Sequence, residues 1–211
     1  PGAVAAMERL GVLDRVTALG PARLGGWRMR TPTADVTGDF GRGWHALGVS
    51  RLALDTELVQ AAREAGVSVV EGVRVRRAAP AGGPLGRPSV DVTGDGGQTT
   101  LRPRLVVGAD GLRSVIARAL GLIARRPRLR KVSLTAHVTG SGLPLGRGLL
   151  SVADGVTLGV APLEQGLWNA TLVVAAGPPA AALAADPRGF LQALLAARLP
   201  SAGALEIRDG P

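Results

Sequence analysis

A carboxylate set between glycines, Gly108-Ala109-Asp110-Gly111, with a hydroxyl at Ser114, is the stretch of this chain richest in chemical possibility. The apolar run Leu105-Val106-Val107 before it reads as a buried strand, and the residues from Leu112 onward read as a helix. A carboxylate at the carboxyl end of a strand stands where open α/β sheets bind ligands and where ribose hydroxyls can donate to it; Gly111 lets the backbone approach whatever it holds. The same Asp110 would serve equally as a helix cap, accepting from the first free N–H groups. Ser114 either lines a phosphate at that helix N-terminus, where free N–H groups and the dipole attract anions, or is an ordinary first-turn residue.

The other candidates are sparser. Arg51 precedes Asp55 by one helical turn, an ion pair worth only about 0.3–0.5 kcal/mol on a surface. His45 and His137 have no carboxylate or second histidine at ligand spacing, so each reads as a strand residue with a satisfied ring and no metal site is expected. Ser50 and Ser114 lack the Gly-x-Ser-x-Gly setting of a hydrolase nucleophile. No cysteine is present, which excludes disulfides and thiolate metal sites and accords with a cytoplasmic location.

Several elements must position these groups. Residues up to about Ala18 have apolar side chains at helical spacing and read as one amphipathic helix. Leu24 to Arg30 and Trp44 to Val49 read as strands, with Thr31 to Gly43 a loop between them. Leu52 to Ala65 forms a helical face stopped by Gly66, and Val67 to Val70 reads as a strand. Val73 to Arg77, Ser89 to Val92 and Thr99 to Leu101 alternate as in a β-meander. Beyond Ile123 the composition turns sheet-like: Lys131 to Thr139, Gly148 to Val152, Val156 to Val160, Trp168 to Ala175 and Ala204 to Ile207 read as strands. Gly189 to Leu199 reads as a helix, and Gly177 to Asp186 as a linker.

Among 211 residues, 46% are hydrophobic, enough for a substantial core. The net charge of +9 is carried almost wholly by arginine. Two clusters stand out, Arg74-Val75-Arg76-Arg77 and the run from Arg125 to Lys131. Neither is interleaved with aromatic residues that would stack on bases, so both read as solvated faces rather than a nucleic-acid surface. No apolar run reaches the roughly 18–20 residues of a membrane span.

Three segments together resemble a known family. Val107 to Ser114 is similar to the Gly-Ala-Asp-Gly motif of flavoprotein monooxygenases related to p-hydroxybenzoate hydroxylase, and of the kindred geranylgeranyl reductases. Pro1-Gly2 with Met7 to Asp14, and Ser50 to Asp55 leading into Ala61 to Gly66, agree in order and spacing. The resemblance implies an α/β fold, a partial FAD/NAD(P)-binding, Rossmann-like domain over residues 1–122 and a β-sheet-rich substrate domain over 123–211. It implies FAD as cofactor, contacted by Arg51, Gly108, Asp110, Gly111 and Ser114, with NAD(P)H as co-substrate. The implied function is hydroxylation of a small apolar, aromatic or polyketide-type molecule; C=C reduction of the geranylgeranyl reductase type and a noncatalytic fragment are the alternatives. No catalytic side chain is named, because the flavin does the redox work.

The chain also departs from that family. The position three residues after Ser114, often arginine in relatives, is Ala117, with Arg118 next. The Gly-x-Gly-x-x-Gly turn expected before residue 1 and the Gly-Asp motif expected after Pro211 are not in the sequence, and Gly38, Gly41 and Gly43 are wrongly spaced to replace the former. The expectation is therefore an internal piece of a flavoenzyme that binds FAD poorly by itself. The aromatic Tyr-x-Trp-x-Phe-Pro run of the reductases is replaced by Val156 to Pro162, which favours hydroxylase over reductase.

Overall fold

The computed structural model describes residues 2–82, 86–123, 131–143, 145–200 and 205–210. They form a mixed α/β structure in two compact units, one of residues 1–66 with 129–211 and one of residues 67–128.

The larger unit begins with two helices, α1 (Gly2–Arg9) and α2 (Leu13–Ala18), where one had been expected. Gly11, at φ +69°, turns the chain between them in a left-handed conformation that side-chain-bearing residues avoid. The strand expected from Leu24 to Arg30 is likewise two, β1 (Ala22–Leu24) and β2 (Gly26–Arg30), which join different sheets. Part of the expected Thr31 to Gly43 loop is a strand, β3 (Asp35–Asp39), fully exposed and held as an edge by pairing with β2. β4 (Ala46–Gly48) pairs antiparallel with β1 and leads into α3 (Arg51–Glu64). Arg15 of α2 pairs with Glu57 and Glu64 of α3.

The rest of this unit is built on β8 (Lys131–Thr139), β9 (Arg147–Ala153), β10 (Val156–Pro162), β11 (Trp168–Ala175) and β12 (Glu206–Asp209). With β2 and β3 they make one sheet in the order β12-β8-β11-β10-β9-β2-β3. Only the β2–β9 pairing is parallel. The segment expected to be a linker is instead a helix, α5 (Pro178–Ala185), followed by α6 (Pro187–Arg198). Alanine, a strong helix former, outweighs the prolines there because both sit in the first turn of α5, where no intrahelical N–H is lost.

Alternation along the strands separates two faces. Ala136, Val138, Val156, Leu158, Val160, Trp168, Ala170, Leu172 and Val174 are buried with Leu183, Leu191 and Leu195 of α5 and α6. Each large side chain removed from water there contributes about 1.5–3 kcal/mol. The opposite face carries Thr135, His137, Asn169 and Thr171, none of them fully buried.

The smaller unit contains the expected meander: β5 (Arg74–Ala79), β6 (Ser89–Gly94) and β7 (Gly97–Leu101), paired antiparallel in that order. Arg74, Arg76 and Arg77 are exposed on β5, whereas positions 124–130 of the second basic cluster lie outside the described residues. Two expected strands do not form. Val67 to Val70 and Leu105 to Val107 join no sheet, and Leu105 and Val107 are 75% and 77% exposed. An apolar run becomes a strand only when its N–H and C=O groups find a ladder, and no described strand supplies one. The helix expected from Leu112 to Leu120 is a 3-10 turn at Gly111–Arg113 followed by α4 (Val115–Ala119).

Candidate functional site

In the smaller unit, the Asp110 turn is organised by its own hydrogen bonds. Asp110 Oδ1 accepts from the Ser114 hydroxyl at 2.5 Å, and Oδ2 accepts from the backbone N–H of Val115 at 2.6 Å and of Ile116 at 3.4 Å. Ser114 Oγ accepts from Ala117 N–H at 2.8 Å and is the N-cap of α4. The Ser114 hydroxyl, helped by the backbone N–H groups, holds the Asp110 carboxyl below the usual carboxylate range. The capping role expected of Asp110 is thus realised, and Ser114 caps the same helix, a role not expected of it. An ionised carboxylate has about four acceptor positions, so the three bonds leave Asp110 room for one more donor.

The two glycines differ in role. Gly111 has φ +71° and open space where a Cβ would be, so its requirement is conformational. At Gly108 a Cβ would stand 2.9 Å from Ile116 Cβ; glycine there allows the approach to α4.

The larger unit holds a cleft of about 500 Å³ against the open face of the seven-stranded sheet. Leu24, Trp27, Leu47, Val49, Leu52 and Pro162 supply apolar walls, and Ser50, Arg51, Thr135, His137 and Asn169 the polar groups. Arg51 is the first residue of α3; its Nη2 donates to Asp55 Oδ2 at 2.9 Å, yet the side chain is 83% exposed. The expected ion pair therefore exists and leaves most guanidinium donors free for an anion at the cleft.

The α3 N-terminus is fixed to the sheet by two residues. Ser50 Oγ caps the helix by accepting from Ala53 N–H at 3.3 Å, while Ser50 N–H donates to Glu164 Oε2 at 2.7 Å. Glu164, in the turn after β10, is only 6% exposed. Burial is the largest influence on its carboxyl and pushes it up, but hydrogen bonds from the Ser50 hydroxyl and backbone, with the nearby His137, bring it below its ordinary value.

His137 is not solitary. Its Nδ1 is 2.8 Å from Asp209 Oδ2, and Asp209 Oδ1 accepts its backbone N–H at 3.0 Å. The expectation of a satisfied ring holds, but its partner lies 72 residues away. Sequence reasoning missed Asp209 and Glu164 alike, since no local spacing links Glu164 to a helix cap 114 residues earlier. Among the described residues, no three His, Asp or Glu side chains cluster as metal ligands. No described helix is long and apolar enough to cross a membrane.

The fold is similar to that of a flavoprotein/dehydrogenase from Cytophaga hutchinsonii, at TM-score 0.79 and 21% identity over 97% of this chain and 53% of that one. It is also similar to the flavin-dependent halogenase CmlS, at TM-score 0.77 and 21% identity over 96% of this chain and 39% of that one. A third similar structure is p-nitrophenol 4-monooxygenase PnpA from Pseudomonas putida DLL-E4, at TM-score 0.75 and 16% identity over 100% of this chain and 55% of that one. The chain thus spans about half the length of these proteins or less. No curated protein sequence matches it. A family model described as FAD binding domain matches residues 1–181, more than four-fifths of the sequence and all three segments in which the resemblance was read; this chain belongs to that FAD-binding family.

Proposed function

We propose that the chain is part of an FAD-dependent hydroxylase that uses NAD(P)H and acts on a small apolar or aromatic molecule. The observation that carries this reading is the cleft on the open face of the large sheet, mostly apolar, with Arg51 at its margin and a few polar groups on its floor. Pockets of this kind take flat organic molecules and orient them through a small number of hydrogen bonds. Residues 1–122 form the nucleotide-binding portion in this proposal and residues 123–211 the substrate portion, although β2 and β3 also contribute to the large sheet.

For FAD, the residues present fit. Arg51 is assigned to a phosphate or ribose, supported by its free guanidinium donors. Separately, on the other unit, Asp110 is assigned to a ribose hydroxyl, with Gly108, Gly111 and Ser114 shaping the turn that presents it. Bound FAD supplies the electron transfer, and these side chains bind and orient it. The aromatic-free β10, whose Ala161 lines the cleft, supports hydroxylation over reduction. The p-nitrophenol monooxygenase and an aklavinone-11 hydroxylase solved with FAD and aklavinone share the fold and support the same reading.

The test is an FAD titration followed by flavin fluorescence. Weak but saturable binding is expected, about tenfold weaker in Arg51→Ala, the scale of one charge-assisted hydrogen bond. Fluorescence unchanged at every protein concentration would refute the reading for this chain.

A further inference from the structure

The cleft is lined by one imidazole, that of His137. A β-bulge in β12 determines what faces it. Glu206 pairs with Thr139 and Ile207 with Val138, but the register then shifts so that Asp209, not Arg208, stands opposite His137. The bulge thereby sets a carboxylate in place of a guanidinium beside the ring. Arg208 is directed elsewhere, donating to Thr139 Oγ1 at 3.0 Å.

Asp209 grips His137 at two points, the backbone N–H at 3.0 Å and ring Nδ1 at 2.8 Å. An ionised carboxylate only accepts, so Nδ1 carries the proton and Nε2 is left as an acceptor. The charged groups around the ring are Asp209 on β12, Glu164 in the turn after β10, whose carboxyl interacts electrostatically with His137, and the largely exposed Arg51 on α3 at the cleft, which bonds Asp55 through one nitrogen. Across the ladder from His137 stands Asn169, whose amide donates to Thr171 Oγ1 at 3.0 Å. One carboxylate is thus hydrogen-bonded to the ring, a second interacts with it electrostatically, and the cleft has apolar walls.

We propose that His137, oriented by Asp209, is the proton acceptor of this cleft for a ligand bearing an acidic O–H, a phenol or an enol, on an apolar frame. The ligand O–H bond breaks as the Nε2–H bond forms. The ligand becomes an oxyanion, the imidazolium is held between that oxyanion and the Asp209 carboxylate, and the proton passes to solvent when the ligand leaves. Asp209 is a positioning residue in this scheme, since it acts through the ring. The inference rests on the cleft being a small-molecule site, but requires no flavin.

The experiment uses 4-nitrophenol, whose phenolate absorbs visible light, added to the chain without FAD at a pH about one unit below the free phenol's ionisation. The wild-type chain is expected to raise the phenolate band saturably. An imidazolium beside the oxygen shifts its ionisation by about a unit or more, so His137→Gln, which accepts a hydrogen bond but not a proton, should lower the bound phenolate-to-phenol ratio about tenfold. Asp209→Asn should lower it in the same direction. Nitrogen NMR of the wild-type ring gives a readout that needs no variant: Nδ1 protonated in the free and the bound chain alike, and Nε2 protonated in the complex.

Failure of the wild type to bind the probe, a bound probe that stays protonated, or a phenolate ratio unchanged in His137→Gln would each overturn the proposal. A chain that ionises the probe but shows no FAD binding refutes the proposed function and leaves the role of His137 standing. A chain that binds FAD and leaves the phenol protonated overturns the present inference alone.

Discussion

Gly48→Ala tests whether the cleft is shaped by backbone contact. Gly48 ends β4 and lines the cleft. A Cβ there would overlap the Pro162 carbonyl oxygen, stand 3.0 Å from the Pro162 carbonyl carbon and lie 3.3 Å from Leu24 Cδ1. The leucine methyl can rotate away, but the carbonyl cannot, because Pro162 is locked in register with Trp168. Overpacking of this kind costs about 1–3 kcal/mol. Alanine also stiffens the unfolded chain, which returns about 0.4–1 kcal/mol where its backbone conformation is allowed, as it is at Gly48. Because the obstacle is backbone, the upper part of the range applies, and the net loss is about 2 kcal/mol. With a urea slope of about 2 kcal/mol/M, the midpoint should fall by about 1 M. The control is Gly38→Ala on exposed β3, where a Cβ would meet nothing within 4 Å. Urea unfolding followed by tryptophan fluorescence and far-UV circular dichroism reads both variants. Equal midpoints for the two would refute the argument that Gly48 is required by the Pro162 carbonyl.

Glu164→Ala removes the buried acceptor of Ser50 N–H and should cost about 1–3 kcal/mol by the same unfolding assay, whereas Glu164→Gln keeps an acceptor and should cost less. The wild-type Glu164 carboxyl lies below its ordinary value, so its contribution is complete above the unfolded value of about 4.3 and is lost as pH falls through the folded one. Acid titration of stability should therefore be shallower below about pH 4.3 in Glu164→Gln than in wild type. Ser114→Ala should raise the Asp110 carboxyl toward the ordinary range, read by carbon NMR, and cost α4 about 1 kcal/mol of protection against amide exchange. Gly108→Ala should likewise weaken the smaller unit by driving a methyl against Ile116, and adding Ile116→Ala should recover part of the loss, read by exchange at α4.

What the sequence makes legible follows from how local each cause is. Trp168–Ala175 and Lys131–Thr139 are found at their expected bounds because strict alternation on a half-buried sheet is a local pattern. The Arg51–Asp55 pair and the cap of α4 by Asp110 are readable for the same reason, since donor and acceptor lie within about two turns. Leu105 to Val107 shows the limit: β propensity states what a segment would do beside a partner, and no partner is specified by the segment itself. β3 fails in the opposite sense, for its polar, glycine-containing sequence becomes a strand because β2 offers it an edge. His137 with Asp209 and Ser50 with Glu164 depend on sheet register and on a bulge, neither of which leaves a trace at fixed spacing.

The same alternation that builds the core also makes room for the cleft. On β8, Ala136 and Val138 face the buried helices while Thr135 and His137 take the other side, and on β11, Ala170 and Leu172 divide from Asn169 and Thr171 in the same way. Because α5 and α6 pack against one face, the open face need not be apolar for the sheet to hold, and its polar side chains bond one another, as Thr135 does to Thr171 at 3.0 Å. That face still needs a fixed wall if it is to receive a ligand. The wall comes from β1, β4 and the start of α3, set by the Gly48 approach to Pro162 and by the Ser50–Glu164 bond. Both attachments converge on the end of β10 and the turn that follows, so a disturbance there would loosen the cleft while leaving the core on the far side of the sheet packed. Ligand binding should consequently be lost before global stability as variants accumulate at Gly48, Pro162 and Glu164, and the reverse order is expected for variants at Leu158, Leu172 and Leu191.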